Sequence, residues 1–155
     1  MNKNLPLSNI VVLDLTNVLS GPFATQILSD LGAEIIKVEK PNGDDSRKFG
    51  PFIKKRSSYF ISLNRGKKSI VVDFNNEEDK KIFKKLLAIS DVIIDNFKPG
   101  TLEKYGFSSS YLKKNFPLLI QTKISGFGET GPLKENPAYD LSLIHISEPT
   151  RLRRI

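Results

Sequence analysis

The chain has 155 residues, of which 39% are hydrophobic, so it is long enough for one domain with a modest core. It contains no cysteine, which excludes disulfides and thiolate metal sites and favours a reducing, cytoplasmic location. The first residues, MNKNLPLSN, lack the apolar core of a secretory signal. No apolar run approaches the roughly 20 residues of a bilayer span, so we expect no membrane partner.

The formal net charge of +7 raises the question of nucleic-acid binding. Most of the charge is lysine interspersed with acids, and no basic block is interleaved with aromatic residues as in single-strand binders. A basic surface alone gives only non-specific attraction, so we expect no nucleic-acid partner. Attraction for an anionic small molecule stays open.

The first elements follow a strand, helix, strand order. IVVLDL, residues 10–15, is a short β-branched run that predicts a buried strand. FATQILSDLG then predicts a helix that stops at Gly32. AEIIKVEKP, residues 33–41, predicts the second strand, closed by its proline. The residues that share the apolar face of the helix, expected in the core, are Phe23, Ile27, Leu28 and Leu31.

The middle of the chain begins with a charged segment. Residues 42–57, NGDDSRKFGPFIKKRS, are turn-rich, so we expect a loop that is too polar for a core element. SYFISLN, residues 58–64, fits either a short helix or a strand. KSIVVDF, residues 68–74, predicts the third strand, and Asn75 or Asn76 is suited to cap the helix that follows.

The last elements continue the alternation. DVIIDNF, residues 91–97, predicts the fourth strand, KPGTLEKYGF a loop with a helical turn, SSSYLKKNFP a short helix, and LLIQTKIS the fifth strand. GFGETGPLKENPAYD follows as a Gly/Pro-rich loop. Strands separated by helices at this spacing imply right-handed crossovers and an α/β fold with a Rossmann-like, mostly parallel, doubly wound sheet.

Ligands of such sheets bind beyond the carboxyl ends of the strands, so the segments after each strand decide function. The segment after the first strand, TNVLSGP, offers one glycine followed by proline where a dinucleotide-binding domain has G-x-G-x-x-G. This difference argues against ordinary NAD binding. The sequence contains no Walker loop, G-x-S-x-G elbow or paired-histidine zinc motif, and we expect no metal.

The strand-end residues also have purely structural interpretations. Ser20 is suited to cap a helix that has Pro22 in its first turn. Asp73 and Asp95 are suited to turns in which a carboxylate accepts hydrogen bonds from nearby amides. The lysines are suited to a solvated surface, and the only histidine, His145, lies in a C-terminal segment that does not continue the pattern.

Four segments taken together resemble CoA-transferase family III, which includes formyl-CoA transferase, carnitine CoA-transferase and α-methylacyl-CoA racemase. They are VLDLTNVLSGPFATQILSDLGAEIIKVEKPNGDDSR, SYFISLNRGKKSIVVDF, ISDVIIDNFKPGTLEKYGF and ISGFGETGPLKENPAYD, in the family's order and spacing. The resemblance covers residues 7–140. It implies the first, CoA-binding portion of the large domain of an interlocked homodimer.

The resemblance places CoA along the strand-end loops. Leu19 and Ser20 match the loop after the first strand, and Lys40 matches a basic residue at the nucleotide end. Leu19 and Lys40 stand where some members have glutamine and arginine. The residues that match the stretch flanking adenine and ribose are Val72, Asp73, Phe74 and Asn75. Those that match the phosphate and pantetheine side are Asn96, Phe97, Lys98 and Lys104.

The resemblance implies transfer of CoA from an acyl-CoA thioester to a small carboxylic acid through an aspartyl covalent intermediate. The family's nucleophilic aspartate lies beyond the PAYD segment, so Asp140 is not that residue. We therefore expect no catalytic residue in this chain and no activity from it alone. A racemase-like enzyme and a non-catalytic CoA-binding module are the alternatives.

The segment after Asp140, LSLIHISEPTRLRRI, matches what one reading frame of a common transposon-based sequencing adaptor encodes. We therefore expect residues 1–140 to be the native part of the large domain. Residues 141–155 are then a tail derived from the sequencing library. The alternative is a genuine short basic tail.

Overall fold

The computed structural model describes residues 5–128, 130–134 and 136. The strands are β1 (Val11–Asp14), β2 (Glu34–Glu39), β3 (Phe52–Ile53), β4 (Arg56–Ser57), β5 (Lys68–Val71), β6 (Val92–Asp95) and β7 (Ile120–Lys123). The helices are α1 (Ser20–Asp30), α2 (Ser58–Asn64), α3 (Glu77–Ile89), α4 (Thr101–Lys104) and α5 (Ser109–Asn115). A 3-10 helix spans Asp45–Lys48.

The main sheet has the strand order β5-β2-β1-β6-β7, and every neighbouring pair is parallel. The chain enters at the central β1, moves outward through β2 to β5, and then returns to β6 on the other side. The winding therefore reverses between β1 and β6, which is the position where open α/β sheets bind ligands. The doubly wound parallel sheet expected from the sequence is confirmed.

The larger core lies on the face of the sheet covered by α3 and α5. Leu13 of β1 and Ile36 of β2 meet Phe83 of α3 and Leu112 of α5 there. Phe83 and Phe107 pack edge to face, with ring centroids 4.8 Å apart. Full burial of an aromatic or aliphatic side chain of this size stabilises a fold by roughly 1.5–3 kcal/mol.

The opposite face of the sheet, beneath α1, changes from apolar to charged along the strands. Val12 and Ile35 lie in a small apolar cluster at its amino end. Because side chains alternate between faces of a strand, Asp14, Lys37 and Glu39 lie on the same side further along. All three are buried.

Helix α1 turns most of its predicted apolar face outward, although Leu28 packs against the smaller apolar cluster. Phe23, Ile27 and Leu31 are 54%, 46% and 42% exposed, so their placement in the core was wrong. The residues that the helix buries are Gly21, Pro22, Thr25 and Gln26. The reason is the charged sheet face beneath the helix, where Thr25 Oγ1 donates a hydrogen bond to Asp14 Oδ2 at 2.6 Å.

The segment 42–57 also differs from the expected loop that is too polar for a core element. Asp44 and Ser46 are buried, because Asp44 pairs with the buried Lys37. The rest of the segment forms the 3-10 helix and the antiparallel β3–β4 hairpin. Lys54 and Lys55 form the hairpin turn, with φ angles of 49° and 65°.

Several local predictions are settled by the structure. SYFISLN is helix α2 and not a strand. The cap of α3 is Asn76, whose side chain accepts a hydrogen bond from the Glu78 amide at 2.9 Å. Gly32 follows the end of α1 with a φ of 104°, a conformation that favours glycine, so the predicted helix end is confirmed.

Candidate functional site

The candidate site is the row of segments that follow the carboxyl ends of the five parallel strands. Backbone hydrogen bonds continue past the strands, from the Leu15 amide to the Ile94 carbonyl at 2.8 Å and from the Val72 amide to the Glu39 carbonyl at 2.9 Å. The first residue after β1 and the first residue after β5 are therefore fixed by the sheet. The conformation of the loops beyond that point depends on side chains.

Two asparagines join the loops on either side of the switch point. The Asn17 amide donates to Asn96 Oδ1, and Asn96 Nδ2 donates to the Asn17 carbonyl, both at 2.9 Å. Asn96 was expected at the site from the sequence, whereas Asn17 was missed. Because a primary amide has two N–H groups and two lone pairs, Asn96 keeps one donor and one acceptor for a ligand.

The loop between β1 and α1 has an unusual backbone. Val18 has a φ of 70°, a region that β-branched residues rarely enter. Leu19 is the N-cap of α1 and provides no side-chain hydrogen bond, so the interpretation of Ser20 as the cap is wrong. Among the described residues, the first amides of α1 therefore have no side-chain acceptor, and this positive helix end lies at the carboxyl edge of the sheet.

Lys40 follows β2 and is already engaged. Its Nζ atom lies 2.8 Å from Asp45 Oδ1, and both side chains are half-exposed. An exposed ion pair of this kind stabilises a protein by about 1 kcal/mol or less. A phosphate group can therefore displace Asp45 at little cost.

The loop after β5 contains four residues that the resemblance placed near adenine and ribose. The Val72 side chain is buried in the larger core. Asp73 Oδ1 accepts hydrogen bonds from the amide and side chain of Asn75, at 2.9 and 3.0 Å, which is the turn geometry expected of a lone aspartate. Phe74 stacks on Tyr105 with centroids 5.2 Å apart, and Asn75 is exposed.

The loop after β6 holds the remaining expected residues. Asp95 Oδ1 accepts a hydrogen bond from the Phe97 amide at 3.1 Å, again a turn geometry, and Phe97 packs at the margin of the larger core. Lys98 and Lys104 are exposed. A cavity of about 230 Å³ lies beside this loop, between β6, β7, α4 and α5.

Beneath the β1 loop lies a buried charge pair that the sequence analysis missed. Asp14 Oδ2 accepts from Lys67 Nζ at 3.1 Å, and the two side chains are 0% and 1% exposed. Asp14 Oδ1 accepts from the amide and hydroxyl of Thr16, at 2.9 and 2.5 Å. Burial lowers the pKa of Lys67, and the charge of Asp14 offsets this only in part.

Glu39 is the centre of a second buried network. Arg47 donates two hydrogen bonds of 2.6 Å to its carboxylate, and Ser69 Oγ and the Asp44 amide donate two more. Burial alone would raise the pKa of Glu39, but these bonds outweigh it and lower the pKa from 4.5 to about 2. The alternation in EIIKVE, which puts Glu39 on the same face as Ile35, is the signal that could have found it.

Folding stability should fall in acid because of this carboxylate. The pKa of Glu39 is depressed in the folded state, so its contribution is complete above pH 4.5 and is lost as the pH falls toward 2. We expect a loss of about 2 kcal/mol over that range, allowing for solvent around the half-exposed Arg47. Urea unfolding at several pH values measures it, and Glu39→Gln should flatten the slope below pH 4.5. Identical slopes in both proteins would contradict the assignment.

Some expectations concern features that the structure does not test. Asp140 and residues 141–155 lie outside the described residues. Within the described ranges, no group of three or more histidine, cysteine or acidic residues is placed to hold a metal ion. Over the same ranges, no helix is both long and apolar enough to cross a membrane.

The family model described as CoA-transferase family III matches residues 7–149. The chain is 48% identical over 136 residues to the acetyl-CoA:oxalate CoA-transferase of Acetobacter aceti. That alignment covers 87% of this chain and 35% of the Acetobacter protein. It is 44% identical over 157 residues to the succinyl-CoA:glutarate CoA-transferase of Homo sapiens. That alignment covers 96% of this chain and 36% of the human protein.

A solved structure shares the fold. The crystal structure of a CAIB/BAIF family protein from Brucella suis matches with a TM-score of 0.88 and 43% sequence identity. The match covers 94% of this chain and 40% of that one. The chain thus spans 35–36% of the length of the two curated relatives and 40% of that solved chain.

Proposed function

Since the chain belongs to CoA-transferase family III, we propose that it is the CoA-binding, amino-terminal portion of an acyl-CoA:carboxylate CoA-transferase. The observation that carries the proposal is the switch point, where α1 begins without a side-chain cap beside the Asn17–Asn96 bridge. A crevice of this kind is the usual ligand site of a doubly wound sheet. A helix N-terminus with unpaired amides attracts negatively charged groups.

The proposed roles follow the chemistry of each side chain. Lys40 and Lys104 serve as point charges for the phosphates of CoA, although lysine lacks the fork that arginine uses for bidentate contacts. The free donor and acceptor of Asn96 bind an amide of the pantetheine arm. Phe97 and Phe74 form apolar walls, and the amides of Leu19 and Ser20 lie where the thioester end would approach.

The charge distribution supports an anionic ligand. Residues 46–72 contain eight basic side chains and no acidic one. Four of them pair with acids of β1, β2 or α1, and these are Arg47, Arg65, Lys67 and Lys68. The other four have no ion pair among the described residues and are Lys48, Lys54, Lys55 and Arg56. Their field raises the local concentration of a polyanion such as CoA.

In the proposed reaction, an aspartate carboxylate attacks the carbonyl carbon of the acyl-CoA thioester and expels the CoA thiolate, which gives an acyl-aspartyl anhydride. The thiolate then attacks the aspartyl carbonyl and releases the carboxylic acid, leaving an aspartyl-CoA thioester. The acceptor acid reverses both steps with its own carboxylate. Covalent catalysis of this type divides one difficult exchange into easier steps.

The nucleophile, in this proposal, belongs to a part of the polypeptide that is not among residues 1–140. The chain by itself then binds CoA without turning it over. The interlocked homodimer, the cytoplasmic location and the small carboxylic acid as second substrate are further parts of the proposal for the complete enzyme.

The test is a calorimetric titration of the 155-residue chain with CoA. We expect saturable binding that weakens by roughly 5- to 30-fold in Lys40→Ala or Lys104→Ala, as for the loss of a charged hydrogen bond worth about 1–2 kcal/mol. Lys113→Ala is the matched control, because Lys113 is an exposed lysine of α5 away from the strand ends. It should leave the dissociation constant unchanged.

Two results would contradict this proposal. A folded chain that does not bind CoA at millimolar concentration would refute it as a CoA-binding portion. An unchanged dissociation constant in both lysine variants would refute the placement of the phosphates. Titration with 3′-phospho-ADP and with pantetheine tests the two ends of the ligand separately. Lys40→Ala should weaken the binding of 3′-phospho-ADP and leave the binding of pantetheine unchanged.

A further inference from the structure

We propose that the buried ion pair of Lys37 and Asp44 positions the β1–α1 loop, residues 15–19, for ligand binding. The inference rests on the proposed function, because the ligand in question is CoA. Neither residue is among those expected to contact CoA, so both act through the loop. They are positioning residues and not catalytic ones.

Lys37 connects β2 to the loop after β1. It is paired with Asp14 in the parallel register, so its side chain reaches just past the end of the neighbouring strand. Lys37 Nζ donates to the Thr16 carbonyl at 2.7 Å and lies 2.9 Å from Asp44 Oδ2. The amide and hydroxyl of Thr16 also donate to Asp14, so Thr16 is held by Lys37 at its carbonyl and by Asp14 at its amide and side chain.

Asp44 connects the loop after β2 to the same segment. Its Oδ1 atom accepts from the amide and hydroxyl of Ser46, at 2.8 and 2.7 Å, and its own amide donates to Glu39 at 3.0 Å. The carboxylate is therefore fixed within its own loop. The Val18 amide donates to the same Oδ1 atom at 3.4 Å, which completes a link between the two loops.

The loop needs such restraint because its backbone is strained. A left-handed conformation costs a residue other than glycine roughly 1–2 kcal/mol, and Val18 adopts it with a φ of 70°. Strained residues persist only where the surroundings over-determine them. Here the restraints act at Thr16 and Val18, immediately before Leu19 and the uncapped start of α1.

A gain in stability alone does not account for burying these two charges. The desolvation of a buried ion pair offsets most of its attraction, and apolar pairs of similar volume often give equal or greater stability. The Lys37 and Asp44 side chains are 1% and 0% exposed, so the desolvation is nearly complete. What an apolar pair cannot supply is a donor for the Thr16 carbonyl and an acceptor for the Val18 amide.

This contrast gives the experiment, which uses the 155-residue chain. The double variant Lys37→Met/Asp44→Leu replaces the ion pair with two apolar side chains. We expect its melting temperature to change by only a few degrees, while the dissociation constant for CoA rises about tenfold because the loop is no longer preorganised. Amide hydrogen exchange at Val18 and Leu19 should become faster in the absence of ligand.

The matched control is Lys68→Met/Glu34→Leu. This pair is also a lysine–carboxylate ion pair of β2, here with β5, but it is exposed and does not contact the loop. It should change neither the affinity for CoA nor the exchange of the Val18 and Leu19 amides. If Lys37→Met/Asp44→Leu fails to fold, Ser46→Ala replaces it, because this change keeps both charges and removes the Ser46 hydroxyl that orients Asp44.

Each outcome decides the inference. A folded double variant, or Ser46→Ala, in which either the loop exchange or the CoA affinity is unchanged would overturn it. If the wild-type chain does not bind CoA, the proposed function fails, and the exchange measurement still tests the positioning. Faster exchange confined to residues 15–19 would then support the inference, and exchange equal to wild type would overturn it.

Discussion

Replacing Lys67 with methionine should lower the free energy of unfolding by about 3–5 kcal/mol, the usual cost of breaking a buried ion pair. Lys67 Nζ has three protons and lies within 3.1 Å of four acceptors, which are Asp14 Oδ2, Thr25 Oγ1, the Pro22 carbonyl and Asn64 Oδ1. Methionine fills a similar volume but leaves the Asp14 carboxylate buried without its counter-charge. Urea unfolding measures the loss, which corresponds to a fall of roughly 10 °C in melting temperature for a domain of this size.

Lys68, the next residue in the chain, provides the control for Lys67→Met. Lys68 pairs with Glu34, but both side chains are substantially exposed, so Lys68→Met should change the unfolding free energy by less than about 1 kcal/mol. The double variant Asp14→Leu/Lys67→Met should recover part of the loss, since an apolar pair leaves no buried charge. Equal effects of Lys67→Met and Lys68→Met would contradict the burial of the Asp14 pair.

Gly21→Ala should destabilise the protein by about 2 kcal/mol, as overpacking of a tight contact does, although alanine is the better helix former. A Cβ atom at Gly21 would lie 2.2 Å from Thr16 Cβ and 2.4 Å from Thr16 Cγ2. Thr16 cannot move away easily, because its amide and hydroxyl both donate to Asp14. Either the start of α1 or the β1 loop must shift, so the affinity for CoA should fall as well.

Ser20→Ala serves as the control for this substitution. It lies one position earlier in the same turn, and its side chain makes no hydrogen bond among the described residues, so we expect a change within about 0.5 kcal/mol. Thr16→Gly in the Gly21→Ala background removes the colliding atoms and should restore part of the stability. An alanine at position 21 that stabilises the chain, as it would in an isolated helix, would show that α1 does not approach β1 this closely.

The difference between the expected and observed faces of α1 shows where sequence periodicity stops being informative. Phe23, Ile27 and Leu31 form a regular apolar stripe, and in an isolated amphipathic helix that stripe would face the core. The periodicity reports that one face differs from the other, but not which face meets the sheet. The buried charge of Asp14 decides this, because it requires hydroxyl donors such as Thr25 above it.

For the candidate site residues too, the sequence indicates the segment in which a residue lies but not the direction of its side chain. Lys40, Asn96 and Lys104 were named as candidates because their segments follow predicted strands and match the family's motifs, and their role in binding stays a prediction. Val72 and Asp73 were named with them. However, the Val72 side chain packs in the core, and the Asp73 carboxylate accepts a hydrogen bond from the Asn75 amide in a local turn. A strand-end position therefore indicates proximity to the site and not the direction of a side chain.

The sequence by itself determined the alternation of strands and helices, the parallel doubly wound sheet and the family. These depend on residues close together in the chain, through periodicity, turn residues and short motifs. Only the tertiary structure decided the buried charge pairs and the inward face of α1. Thr16 and Lys37 are 21 positions apart, and Asp14 and Lys67 are 53 apart, so their hydrogen bonds exist only once the strands are side by side.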